Sequence, residues 1–134
     1  MIVVVEGLII PKQRPRMNTK TRRTYTPQKT LDYERLVREA YIEQDNRRFE
    51  GLLELKVIFY FKIPKSYSKK RIEEIKDKYC GNHKDIDNCI KSIMDSLLKV
   101  AYEDDKQITK IAASKKWTTG TERVEFEIKE IDYE

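Results

Sequence analysis

The sequence predicts an α+β fold: a single small domain in which a mixed or antiparallel sheet of about four strands is packed by two main helices. Three observations carry this. Residues 52–63 alternate at the period of a strand, with Leu53, Leu55, Val57, Phe59, Phe61 and Ile63 on one face. Residues 88–101 place Cys89, Ile90, Ile93, Met94, Leu97, Leu98 and Ala101 in one continuous helical stripe. The elements run in the order strand, helix, strand, helix, helix, strand, strand, which suits a two-layer arrangement.

Residues 1–10 read as the first strand, because Val3, Val4 and Val5 are β-branched and Pro11 ends the run. Residues 11–30 read as a loop of one charge sign. Between Gly7 and Leu31 stand seven bases (Lys12, Arg14, Arg16, Lys20, Arg22, Arg23, Lys29) and no acid. Thr26-Pro27 is a start signal, with Thr26 as cap and Pro27 in the first helical position. The helix that follows, over 27–45, carries Tyr33, Leu36, Val37, Ala40 and Tyr41 at helical spacing. Asn46 to Gly51 is its exit loop.

Pro64 stops the strand over 52–63, and Ser66 or Ser68 caps a short helix bearing Ile72, Ile75 and Tyr79. Asp87 stands where the N-cap of the second strong helix belongs. After that helix comes the acidic turn Glu103-Asp104-Asp105. Residues 107–117 and 122–131 are expected to form a closing hairpin, with Gly120 in the turn over Thr118 to Thr121.

The 134 residues are one domain's worth, so a single domain over 1–134 is expected. Lys and Arg number 28 against 23 for Asp and Glu, a net charge of +5. Hydrophobic residues at 39% match charged ones at 38%, so the chain reads as a folded basic globule rather than a disordered tail. Nucleic acid is the first partner such a surface suggests. Cys80 and Cys89 form no Cys-x-x-Cys motif, and His83 is the sole histidine, which argues against zinc. The longest apolar run, Met1 to Val5, is too short for a membrane span or a signal segment. A cytoplasmic protein with reduced thiols and no membrane partner is expected.

The chemistry candidates lie between Asp85 and Asp105, where six acids (Asp85, Asp87, Asp95, Glu103, Asp104, Asp105) meet two bases (Lys91, Lys99). Asp87, Lys91 and Asp95 recur one helical turn apart, along one edge of the helix. For Asp104 and Asp105 to reach Asp85 and Asp87, the chain after residue 101 must turn back. Clustered carboxylates repel unless a cation joins them, and hard oxygen donors suit Mg²⁺ or Mn²⁺. Such an ion can activate water on a phosphodiester, with a nearby lysine opposing the charge on the phosphate. A blander account is open on the same residues. Asp87 would simply cap the helix, Asp87–Lys91–Asp95 would be helix ion pairs worth roughly 0.2–0.5 kcal/mol each, and Asp104-Asp105 would be a solvated turn.

An acidic site that works on DNA needs positive charge around it. The loop from Lys12 to Lys29 offers Lys12, Arg14, Arg16, Lys20, Arg22 and Arg23, with Tyr25 placed for stacking. Residues 62–78 add seven bases, among them Lys69, Lys70 and Arg71, against Glu73, Glu74 and Asp77. Groups of this kind grip phosphates without reading sequence. A solvated basic face is the competing account, and it weighs more for 62–78 than for the acid-free loop. His83 reads as a surface residue, Trp117 as core or rim, and Cys89 as core.

Asp85-Ile86-Asp87-Asn88, then Lys91, then Asp95-Ser96-Leu97, then Asp104-Asp105 with Ile108 three residues on, resembles the signature of RusA-type Holliday junction resolvases. The Ile10-Pro11 step, the basic loop with Tyr25, and the strand ending at Pro64 resemble the family's first half more loosely. The resemblance implies that Asp85, Asp87 and Asp105 are the catalytic, metal-binding aspartates and Lys91 the essential lysine. It implies Asp104 as the first member of the closing acidic pair and a further candidate for the metal. It implies a homodimer that cuts branched DNA at four-way junctions, uses Mg²⁺ or Mn²⁺, and leaves a 5′-phosphate and a 3′-hydroxyl. The family is common in phages and prophages, so a bacterial or phage-infected cell is the expected setting for recombination or repair. Three features depart from the pattern: Ser96 replaces a small apolar residue, the step from Lys91 to Asp105 is one residue short, and the stretch from Lys69 to Cys80 is long. Two other readings fit the same residues: a nuclease of flaps or other branches, and a branched-DNA-binding module without catalysis.

Overall fold

In the computed structural model, which describes residues 1–132, strand β4 (Leu53–Lys62) is the organising element. Its alternation is the one read from the sequence: Leu53, Leu55, Val57, Phe59 and Phe61 are buried under the helices. β6 (Arg123–Glu130) lies antiparallel along one side of β4, and β5 (Ile108–Thr118) lies parallel along the other. β1 (Val3–Glu6) completes the sheet beyond β6, giving the order β1-β6-β4-β5. The sheet is therefore mixed, one of the two alternatives that the sequence leaves open. A separate two-stranded ribbon, β2 (Arg16–Met17) with β3 (Thr24–Tyr25), stiffens the basic loop.

The expected closing hairpin does not form. β5 and β6 follow one another in sequence, but β4 lies between them. A parallel pair needs a long crossover, and residues 63–107, with their two helices, supply it between β4 and β5. The link from Thr119 to Glu122 then bridges the end of β4 instead of making a tight turn. Ile63 N donates to Thr118 O, and Lys62 N donates to the Glu122 carboxylate at 3.2 Å.

α1 (Gln28–Gln44) and α3 (Ile86–Leu97) pack against each other over one face of the sheet, burying Tyr33, Val37 and Tyr41 against Cys89, Ile93 and Leu97. α2 (Lys69–Ile75) is short and exposed, capped by Ser68, whose hydroxyl accepts from Arg71 N at 3.2 Å. At the head of α1 the cap position falls on Pro27 with no side-chain bond, so Thr26 does not cap. β1 is shorter than the strand expected over 1–10. The chain leaves the sheet at Gly7 and runs along α3, where Ser92 Oγ donates to Ile10 O and Lys12 N donates to Asn88 O, both at 2.9 Å.

Candidate active site

α3 begins two residues earlier than the sequence suggests. Asp85, in extended conformation (φ −69°, ψ 129°), holds the N-cap position, and Asp87 sits in the first turn. Asp87 is therefore not the cap. The Asp85 side chain makes no capping bond either, so both carboxylates are exposed and free for other work. Their place at a helix start suits negative charge, worth typically about 0.3–1 kcal/mol per group.

Asp87, Lys91 and Asp95 follow along one edge of α3 at four-residue spacing. The helix ion pairs Asp87–Lys91 and Lys91–Asp95 are absent among the described residues. Lys91 is exposed, and Asp95 pairs instead with Lys12 at 3.0 Å.

The chain does turn back after α3. The helix stops at Leu97, short of residue 101, and Lys99 takes a left-handed φ of 69°. Tyr102 is fully buried and donates its hydroxyl to Met94 O, which pulls the turn against α3. Gln107 fastens the acidic segment: its Oε1 accepts from Glu103 N (2.9 Å) and Asp104 N (3.1 Å), while its Nε2 donates to Phe49 O and Gly51 O. Asp104 caps the short 3-10 turn Asp105–Gln107, accepting from Lys106 N at 2.9 Å. One oxygen of this further metal candidate is thus already engaged.

Asp105 is different. Its Oδ1 is buried and has no hydrogen-bond partner. Burial pushes its pKa up, Asp95 and Asp104 push it further, and Lys91 partly opposes them. The return therefore brings Asp105 within the field of Asp95 and Lys91 on α3. A buried carboxylate oxygen without a donor is costly unless a cation supplies the missing partner.

The donor chemistry fits a hard divalent cation. The nearby groups are carboxylate oxygens, Cys89 is buried in the core, and His83 is exposed on the loop before α3. The structure does not gather three of these carboxylates into one metal-holding group among the described residues. Asp105 lies within the field of Lys91, Asp95 and Asp104, while Asp85 and Asp87 stay at the head of the helix.

The expected DNA-contacting cations divide. Arg14, Arg16, Lys20, Arg22 and Arg23 are exposed on the loop, and Asn18 shapes its tip by accepting from Lys20 N and Thr21 N. Tyr25 is exposed on β3 opposite Arg16. Lys12 is not a free cation: it is partly buried between Glu34 and Asp95, because its backbone is tied down to α3 at Asn88. Lys69, Lys70 and Arg71 form the exposed first turn of α2, with the Arg71 guanidinium 3.8 Å over the Tyr67 ring. Trp117 is half-buried and meets Tyr67 edge-on, a rim position.

Sequence reasoning missed Lys84, Lys115 and Glu122, which converge on the loop before Asp85. Glu122 accepts from Ile9 N at 2.9 Å, and Lys84 donates to Ile9 O. Their partners are backbone atoms from distant segments, so no local spacing could have revealed them.

A carboxylate-and-lysine helix edge with exposed cations on the adjoining loop suits an enzyme that acts on nucleic acid. The chain matches the family model for Endodeoxyribonuclease RusA over residues 6–129 and belongs to that family. It is accordingly an endodeoxyribonuclease, hydrolysing phosphodiester bonds. No curated protein matches the chain. Among the described residues, no helix is long and apolar enough to cross a membrane.

Proposed function

We propose that this chain resolves four-way DNA junctions by paired, symmetric nicks, with Mg²⁺ as its cofactor and Mn²⁺ able to replace it. Membership of the RusA endodeoxyribonuclease family supports a junction substrate. The observation that carries the site is Asp105, whose buried oxygen has no hydrogen-bond partner and whose carboxylate feels the charges of Asp95 and Lys91 on α3.

In this reading Asp85, Asp87 and Asp105 hold the cation, and the second oxygen of Asp104 stands in reserve. The bound ion supplies Lewis acidity for water attack and for the leaving oxygen. Lys91, exposed beside these acids, opposes the charge that builds on the scissile phosphate. Arg14, Arg16, Lys20, Arg22 and Arg23 grip the backbone of one DNA arm, and Lys69, Lys70 and Arg71 grip a second. The root of the basic loop is bonded to α3 at Asn88, so DNA held there lies beside the acids. Two symmetric cuts require two sites, so the working form is a homodimer. The cytoplasm of a bacterial or phage-infected cell is the setting in which such a substrate arises.

The test compares wild type with Asp85→Asn on a labelled, immobile four-way junction, with Mg²⁺ and with EDTA. Wild type should cut with Mg²⁺ only, and Asp85→Asn should bind the junction without cutting it. Binding with no cutting by either protein, in Mg²⁺ or Mn²⁺, would leave a DNA-binding module. Preference for flaps over four-way junctions would make this a broader branch nuclease.

A further inference from the structure

We propose that Lys115 is the positioning residue of the acidic helix start: its ammonium group holds the loop Asn82–Lys84 and thereby fixes where Asp85 stands. The catalytic part of this inference rests on the functional reading above.

Lys115 lies on β5, within the sheet, paired with Phe59 of β4. It grips the chain before α3 at three points. Its backbone O accepts from Cys80 N at 2.9 Å, and its Nζ donates to Asn82 O at 3.1 Å and to Lys84 O at 2.5 Å. Lys84 O is the carbonyl immediately before Asp85. The loop is held from the other side too, where Lys84 Nζ donates to Ile9 O at 2.6 Å and lies 4.0 Å from Glu122. Both ammonium groups stand over the Phe61 ring, at 5.5 and 5.7 Å from its centre.

Asp85 has no capping bond to set its own side chain, so the preceding peptide determines its place. That peptide is fastened to β5, an edge strand of the sheet paired along its length with β4, which is how a reactive group is held on a rigid element. An ammonium has three protons to donate, and two are given to carbonyls here. Lys115 is half-buried in this role and is not an open phosphate contact. Methionine at 115 would leave both carbonyls without their donor, whereas arginine keeps donors for them.

The test uses Lys115→Met and Lys115→Arg in the full chain. Amide exchange at Cys80 and Cys89, the hydrogen-bonded amides on either side of the loop, should rise about tenfold or more in Lys115→Met, with α1 and β4 unchanged. Its single-turnover cleavage rate should fall about tenfold to a hundredfold, as expected when a catalytic group is misplaced by about an ångström. Half-saturating Mg²⁺ should rise, junction binding in EDTA should stay at wild-type strength, and Lys115→Arg should recover most of the rate. The inference is overturned if exchange at Cys80 and Cys89 is unchanged, or if Lys115→Met cuts like wild type. It is also overturned if binding in EDTA falls as far as the rate, which would make Lys115 a phosphate contact. If wild type cuts no branched DNA, the functional reading fails instead, and exchange alone decides whether Lys115 anchors the loop.

Discussion

Lys12 Nζ stands 3.0 Å from Asp95 Oδ2, on the helix that carries the acidic edge. The same ammonium reaches Glu34 Oε1 on α1 at 2.7 Å, so one lysine ties the basic loop to both helices. Burial alone would lower the Lys12 pKa, but bonds to Glu34 and Asp95 outweigh it and hold the group above its ordinary 10.5. A base with a raised folded pKa stabilises fully below its unfolded pKa, and that contribution disappears as pH rises through the folded value. Lys12→Met should therefore cost about 1–3 kcal/mol in urea unfolding at neutral pH, because two carboxylates lose their partner. On the alkaline side, the gap from wild type should narrow above pH 10.5. Equal stability at neutral pH would show that the pair holds nothing.

Asp105→Asn should separate stability from function. The wild-type carboxylate is buried without a donor and lies near Asp95, so the ion-free fold bears its charge at a cost. A neutral amide removes that charge, and the ion-free variant should unfold at the same temperature as wild type or a few degrees higher. Millimolar Mn²⁺ should raise the unfolding temperature of wild type and leave Asp105→Asn unmoved. An equal Mn²⁺ shift in both proteins would remove Asp105 from the ligand set.

Salt dependence should expose the basic loop. Arg22 and Arg23 sit exposed past the Asn18 turn and pair with no acid among the described residues. Each phosphate neutralised contributes about −0.9 to the slope of log affinity against log salt. The double variant Arg22→Ala with Arg23→Ala should make the slope for junction binding shallower by about 2 on the same basis. Lys12→Met should leave it unchanged, since Lys12 is already paired. The reverse pattern would mean that the loop does not meet DNA in this arrangement.

The thiols give a check on the core. Cys89 is fully buried, and burial pushes its pKa up to about 11. Burial also raises the Cys80 thiol. Alkylation by iodoacetamide at pH 8 should be slow in the native protein and quick after unfolding, because the thiolate is the reactive form. Fast labelling of Cys89 in the native state would mean that the contact between α1 and α3 opens readily.

Much of this architecture is local and therefore readable. The alternation from Leu53 to Ile63 and the stripe from Cys89 to Ala101 each report one buried face; β4 spans nearly all of the first, whereas α3 covers the second only as far as Leu97, with Ala101 buried in the turn beyond it. The spacing of Asp87, Lys91 and Asp95 likewise fixed a single helix edge. What stayed hidden depends on distant partners. Alternation in β6 shows a half-buried strand but not its neighbour, so β4 rather than β5 takes that place. Tyr102 looks like part of a polar turn, yet its ring is buried and its hydroxyl finds Met94 O. Lys12 looks like one more cation of a basic loop until α1 and α3 bring Glu34 and Asp95 to it.

The central claim is resolution of a four-way junction, and mapping the nicks tests it most directly. All four strands of an immobile junction, end-labelled in turn, are incubated with wild type and Mg²⁺ and resolved to the nucleotide. The account predicts nicks at symmetric positions in two opposite strands, leaving 5′-phosphate and 3′-hydroxyl ends that ligase can seal. Cuts confined to one strand, unpaired cuts scattered along duplex arms, or no cuts at all would contradict it.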